Sequence, residues 1–488
     1  MTALAYRPRA LAALLVLISP LFLSGCNALL GGIGGGSASS IVNQAAGGND
    51  AASTQEHARI VATYGGIYHD KNLELTITRI VERLVAASDE PKREYRVTIL
   101  NAPAVNAFAL PSGDLYVTRG LLALASDASE VAAVLAHEMS HVIANHAAQR
   151  EQRARTAVIV SRAVTDALSD GDAGQLALAS GQRTLASFSR QQELEADAMG
   201  VKMTAKAGYD PYSASRFLTT MSRYAAYRGS LAGQQDKRPD FLANHPSTPE
   251  RVEFAVQAAK QAGGDGKGDV EREKYLAGID GIIYGDDTGQ GYVRGRNFFH
   301  AGLKLGFTVP ETFVLDNTSE AVLATGADGT ALRFDAATVP ESMPLEAYLT
   351  SGWINGLDRN SIRTFAVNNL AAASAIARAR GWVFRITVIR VGSADTYRFI
   401  FANQQDTPAF AQAETDTVSS FRLLSGDEVA ALRPLRIKIV TIGFRDNQDS
   451  MIRRMRGVDD PAVLFQTINE IQPGAKLKAG AKVKIISD

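Results

Sequence analysis

Residues 127–143 read DASEVAAVLAHEMSHVI, and this stretch decides the fold of the first half of the chain. Asp127 and Glu130 have capping-box spacing, after which Val131, Val134, Leu135, Ala136, Met139 and Val142 follow helical periodicity. His137, Glu138 and His141 lie in that helix as an H-E-x-x-H pattern. Histidines four apart lie about 40° apart around the axis, one turn above the other, so both imidazoles can reach one metal ion. Glu138, between them, can turn toward metal-held water without being a ligand.

A catalytic zinc takes three protein ligands and keeps one position open. No third histidine follows in H-x-x-G-x-x-H form, because the chain continues Val142-Ile143-Ala144-Asn145-His146. On a continuing helix His146 points about 140° away from His141, so it is expected to be structural or at the surface. Residues 192–200, QELEADAMG, offer a second helix with Glu193 and Asp197 one turn apart on one face. Glu193 can complete a site for one Zn2+ per chain, and Asp197 can accept the second N–H of a ligating imidazole and fix its tautomer. Glu195, about 200° from Glu193, is expected to face away.

The N-terminus reads as an address. Arg7 and Arg9 precede an apolar run from Leu11 to Leu23, too short to cross a bilayer but right for a signal-peptide core. The run ends in Leu23-Ser24-Gly25-Cys26, which resembles a bacterial lipobox and implies removal of residues 1–25 and acylation of Cys26. Asn27 resembles the residue found in lipoproteins sorted onward to the outer membrane. Residues 26–54 then hold the lipid-bearing cysteine and a flexible Gly/Ser/Asn-rich tether. The expected location is the outer membrane, lipid-anchored and facing the periplasm.

With 488 residues, 46% hydrophobic and 21% charged, the chain can form two or three domains, each with its own core. Lys+Arg 51 against Asp+Glu 51 removes the broad basic field of a general nucleic-acid binder, and no nucleic-acid partner is expected. Cys26 is the sole cysteine, which excludes an intramolecular disulfide and any zinc cage built from cysteine. The expected fold is multidomain. A mainly α metallopeptidase domain with a small β-sheet, a single strand pair, spans 55–262, and 263–269 is a linker. An α+β domain with an antiparallel sheet spans 270–434, and a small βααβ module spans 435–488. In the α+β domain, Gly285-Asp286-Asp287 reads as an exposed turn and His300 as structural.

In the last module, LFQTIN at 464–469, Pro473-Gly474 and the run 477–485 resemble a divergent LysM unit. That resemblance implies glycan binding and peptidoglycan as a partner. A βααβ cap packed on a neighbouring domain fits the same residues, and both readings stay open.

HEMSH at 137–141, ELEAD at 193–197, NHPSTPER at 244–251 and VNAFALPSGDLYVT at 105–118 together resemble peptidase family M48, the gluzincins that include HtpX, the CAAX prenyl proteases and the BepA-type proteases. The resemblance covers about 60 to 260. It implies that His137, His141 and Glu193 are zinc ligands and Glu138 the general base. It implies that His245 either stabilises the transition state or covers the fourth zinc position as a shutter, with Arg251 associated with that loop. The Asn106, Ala107 and Phe108 strand is expected to hold an extended substrate by backbone pairing. The implied activity is zinc-dependent endopeptidase action on misfolded or misassembled outer-membrane and periplasmic proteins, a quality-control role. A latent protease acting mainly as chaperone or assembly factor, and a cell-wall-binding lipoprotein, are the alternatives.

Overall fold

The computed structural model describes residues 54–152, 188–231, 241–263, 268, 270–318 and 321–488. The signal peptide, Cys26 and all but the last residue of the tether lie outside them. Helix α1 (Lys71–Ala87) starts where Asp70 accepts from the amides of Asn72 and Leu73, and it buries Leu73, Ile77, Ile80, Val81 and Leu84 along one stripe. A three-stranded sheet follows, made of β1 (Arg96–Leu100), β2 (Ala107–Ala109) and β3 (Asp114–Thr118). The expected single strand pair is corrected here. β3 pairs antiparallel with β2 and parallel with β1, in the order β1-β3-β2, and its five residues are all buried. A central strand covered on both faces reads as a continuous apolar run, which the pattern of alternation does not mark. β2 is left as an edge.

The short α2 (Arg119–Leu124) leads into α3 (Ala128–Ile143), where the Asp127 side chain accepts from the Glu130 amide. Every α3 residue from Ala128 to His141 is buried, as befits a helix enclosed on all sides. α4 (Arg190–Lys206) begins with a Ser189–Gln192 capping box, and α5 (Ser213–Leu231) and α6 (Pro249–Gln261) complete the helical layer. α3 and α4 approach closely because residue 200 is glycine. A Cβ there would lie 3.0 Å from the His137 amide nitrogen and 3.2 Å from its Cα.

Among the described residues the second half contains three more sheets, two of them in its middle. Strands β5 (Tyr292–Arg294), β6 (Asn297–His300) and β7 (Leu305–Thr308) form one with the short β15 (Arg422–Leu423). The other is seven-stranded and antiparallel, in the order β11-β12-β13-β14-β10-β9-β8. Its strands are β8 (Phe313–Asn317), β9 (Val322–Gly326), β10 (Ala331–Thr338), β11 (Leu357–Val367), β12 (Leu370–Ala379), β13 (Trp382–Val391) and β14 (Asp395–Asn403). Alternation along β14 sends Phe399 and Phe401 into a core with Phe307, Phe334, Phe410 and Phe421, whereas Ile400 packs on the opposite face with Leu349 and Ile386.

Two boundaries differ from the expected ones. α7 (Arg272–Ile279) and β4 (Ile283–Tyr284) belong with the helical region: Tyr275 donates to Leu122 O at 2.6 Å, and Arg272 to Ser126 O at 2.6 Å. The C-terminal segment is β16 (Leu435–Thr441), two helices (Gln448–Ile452 and Pro461–Ile468) and β17 (Lys482–Ser487), with β16 between β4 and β17. It is no free module. Ile437, Leu464, Phe465, Ile468 and Ile485 share one continuous core with Leu84, Leu121, Val131 and Leu135. Asp287 is also not in an exposed turn. It is buried, accepts from Asn101 and from the amides of Gly289 and Gln290, and pins β4 to the end of β1. His300 accepts from the Leu303 amide at 3.2 Å and has a local structural part.

Lys484 clamps the C-terminal segment in place. Its fully buried ammonium donates to the carbonyls of Ala123, Leu124 and Ala125 at 3.2, 2.7 and 2.8 Å, capping the end of α2. Burial, then Arg272, pushes this lysine down to about 7 against the pull of Glu130 and Glu470. Burial and the neighbouring Glu470 push the Glu130 carboxyl well up.

Replacing Gly200 by Ala forces backbone apart at α3, and urea unfolding should show a loss of about 1–3 kcal/mol. Lys484→Met takes one of the cations from beside Glu130 and Glu470, leaving Arg216, and removes the Lys484 donor from three carbonyls. A loss of about 3–5 kcal/mol is expected in the same assay.

Candidate metal centre

α3 carries His137, Glu138 and His141 on the face turned to α4, and all three are buried. α4 supplies Glu193 and Asp197 from its first two turns. The turn Phe241–Asn244 supplies His245, anchored by the Phe241 amide on Val105 O at 2.9 Å and by the His245 amide on Phe241 O at 2.8 Å. The Phe241 ring stacks on His245 with centroids 4.6 Å apart.

Ligand atoms of His137, His141, Glu193 and His245 lie within 4.8 Å of one another. His137 Nε2 is 3.0 Å from His141 Nε2 and 3.3 Å from His245 Nδ1. Glu193 places Oε2 at 3.5 Å from His137 Nε2, and Oε1 at 3.6 Å from His141 Nε2 and 3.0 Å from His245 Nδ1. A tetrahedron with zinc–nitrogen and zinc–oxygen bonds of about 2.0–2.2 Å has edges of roughly 3.3–3.6 Å. Separations of 3.0–3.6 Å lie close to those edges. Three buried carboxylates, Glu138, Glu193 and Asp197, face one buried guanidinium, Arg251, so the pocket is short of positive charge by the amount one zinc ion carries. The residues present fit zinc.

The surroundings hold the ring in shape. His137 Nδ1 is 2.9 Å from Asp197 Oδ1, so Nδ1–H donates outward and Nε2 faces the ring. Arg251 grips Asp197 with two hydrogen bonds, at 2.8 and 2.7 Å, and lies 2.9 Å from Glu193 Oε2. It also donates to Pro246 O at 3.1 Å, which ties the His245 loop to the same carboxylates. Burial opposes ionisation of Glu193 and of Asp197. It is outweighed by hydrogen bonds from His137 and His245 at Glu193, and from Arg251 and His137 at Asp197, so both carboxyls fall below the usual range. Burial lowers His137, but Asp197 and Glu193 reverse this and raise it to about 9: the site draws positive charge to that ring. Burial and the surrounding histidines push His141 far down, which favours the neutral form that binding a metal requires. Burial pushes the Glu138 carboxyl up, and its Oε1, with His245 Nε2 at 3.6 Å, has no hydrogen-bond partner among the described residues.

The expected substrate strand is only partly strand. Asn106 precedes β2, is buried, and donates from its side chain to the Tyr64 hydroxyl at 3.0 Å. Ala107 and Phe108 belong to β2, which lies against α3 and has β3 on one side only. Phe108 stacks on Tyr116 with centroids 4.9 Å apart.

His146 corrects the sequence reading. α3 ends at Ile143, Asn145 takes a left-handed φ of 56°, and the chain turns back before His146. Helical-wheel geometry therefore does not apply across the break. His146 is fully buried, with Nδ1 at 2.9 Å from His141 Nδ1, and Glu195 is 3.4 Å from its other nitrogen. Asn145 was the available signal, since asparagine tolerates the left-handed region and commonly stops helices. Phe188, stacked on His141 at 4.0 Å, carries no sequence signal for its role.

Residues 71–259 match the model of Peptidase family M48. The chain is similar to mitochondrial metalloendopeptidase OMA1 of Schizosaccharomyces pombe, 31% identical over 187 residues that cover 38% of this chain and 52% of that one. It is similar to the beta-barrel assembly-enhancing protease of Escherichia coli K12, 28% identical over 204 residues, 40% of each chain. Human OMA1 is 30% identical over 175 residues, 34% of this chain and 32% of that one. The chain thus spans about half or less of these relatives' length, and everything beyond residue 259 falls outside the family match. The stretch from 71 to 259 is a domain of peptidase family M48, a family of zinc metallopeptidases.

Proposed function

We propose that this chain is a zinc-dependent endopeptidase of the bacterial envelope, held to the periplasmic face of the outer membrane by lipid on Cys26. The observation that carries the catalytic part is the ring of buried ligand atoms closed around one point, with Glu138 against it. His137, His141 and Glu193 would hold one ion per chain. Zinc, when bound, supplies the Lewis acidity that brings water toward ionisation at neutral pH and polarises a peptide carbonyl. Glu138 accepts the proton of the attacking water and delivers it to the leaving amine. Its burial raises its proton affinity, which suits a base that must keep a proton between two steps. Asp197 and Arg251 keep His137 and Glu193 in place throughout.

Substrate selection follows from β2. A strand edge beside the active-site helix can pair with the backbone of an extended chain, and folded proteins have little extended backbone to offer. Misfolded or misassembled envelope proteins are the substrate class, with unassembled β-barrels foremost because their strands lack partners. The name of the Escherichia coli relative, a beta-barrel assembly-enhancing protease, supports this choice.

His245 Nδ1 sits at the fourth corner of the ring, 3.3 Å from His137 Nε2 and 3.0 Å from Glu193 Oε1. Water and substrate need that corner. The geometry favours a latent resting form in which His245 is the shutter, and the chain acts as an assembly factor until the Phe241–Asn244 turn moves. Once displaced, the ring is free to offer an N–H to the oxyanion.

Glu138→Gln is expected to retain one zinc per chain while casein cleavage falls by about two to four orders of magnitude. Undiminished cleavage in that variant overturns the mechanism. His245→Ala is expected to raise the initial rate of casein cleavage several-fold, measured at saturating zinc. A fall in rate assigns His245 to transition-state stabilisation instead of closure.

A further inference from the structure

His137 has its outer partner in Asp197, but among the described residues His141 has no carboxylate on its second nitrogen. It has His146. We propose that His146 and Glu195 are a positioning pair that fixes the tautomer of His141 and strengthens it as a ligand, a role that rests on the zinc-peptidase reading above. His141 Nε2 belongs to the ring of ligand atoms, 3.0 Å from His137 Nε2 and 3.6 Å from Glu193 Oε1. A neutral imidazole that ligates through Nε2 carries its hydrogen on Nδ1. That hydrogen meets His146 Nδ1 at 2.9 Å, so His146 Nδ1 must be the acceptor. The remaining hydrogen of His146 then lies on Nε2, where Glu195 Oε2 is 3.4 Å away and accepts it. One choice at the metal settles every proton along the row. The negative end at Glu195 polarises both imidazoles in the direction that raises electron density at His141 Nε2.

The surrounding geometry is specific to this arrangement. The left-handed turn at Asn145 aims the His146 ring back at α3, and Gln192, the α4 residue before Glu193, donates to His146 O at 3.4 Å. Phe188 lies flat on His141 with an interplanar angle of 26°, and the Arg150 guanidinium covers the outer face of Phe188 at 4.7 Å. The ring of His141 is thus fixed in rotation by packing and in protonation by His146. Glu195 is half-exposed, so the row runs from the buried ring to solvent along one side of α4.

The test is zinc affinity of the full chain, by competition with a chromogenic chelator, together with the visible absorption of the Co2+-substituted protein. His146→Ala is expected to weaken zinc binding about 10–100-fold and to shift the cobalt bands. His146→Asn, whose side-chain oxygen can still accept from His141, is expected to restore much of the affinity. Glu195→Gln, which accepts but carries no charge, is expected to lose a few-fold with the fold intact by circular dichroism. A wild-type chain that takes up no zinc overturns the peptidase reading and the pair with it. Wild-type binding with unchanged affinity and cobalt spectrum in His146→Asn, Glu195→Gln and His146→Ala overturns the pair alone.

Discussion

The site depends on how closely two helices approach. Gly200 lets α4 come within van der Waals reach of the α3 backbone at His137, and no larger residue leaves that distance intact. At this separation Asp197 reaches the outer nitrogen of His137 and Glu193 reaches the inner one. One contact therefore places both a proposed ligand, Glu193, and the partner that orients His137, and a shift of about half an ångström would spoil each. The His245 turn and Arg251 are added from the third side, and Arg251 joins the two α4 carboxylates to the Pro246 carbonyl.

The same helix is tied down at its other end. Asp127 and Glu130 at the start of α3 sit among Arg216, Lys484 and Glu470, groups contributed by α5 and by the C-terminal segment. Such a buried polar set costs desolvation that the pairs repay only in good geometry, so it fixes position more than it adds stability. The last fifty residues are therefore part of the scaffold of the metal centre, although they lie far from it in sequence. The large antiparallel sheet stands apart from this arrangement with its own phenylalanine core.

Both α3 histidines proposed as ligands have an outer partner, built by different chemistry. Asp197 gives His137 a full carboxylate backed by Arg251. His146 gives His141 a neutral partner, which suits a position where a fourth buried carboxylate would leave the pocket with more negative charge than one zinc ion balances. Phe188 and Phe241 close the apolar wall around these rings and lower the local polarity, so each charge interaction in the pocket counts for more.

By itself the sequence determined the two helices that carry H-E-x-x-H and E-L-E-A-D, the α+β character of the middle, and the residues of those motifs that meet around one point. Local spacing suffices there, because residues four apart on a helix share a face whatever the fold. Where the chain leaves regular structure, or pairs across long separations, only the tertiary structure decided the outcome. The wheel that sent His146 away from His141 assumed a helix that Asn145 ends. β3 looked like half of a hairpin with β2 because its parallel partner β1 comes before β2 in the chain, a pairing that no local pattern records. Asp287 looked like a turn residue until β1 and β4 closed over it. The C-terminal strand–helix–helix–strand order was legible, but its attachment was not. A lysine in a β-strand reads as solvent-facing until three carbonyls at the end of a distant helix are brought within hydrogen-bond distance of it.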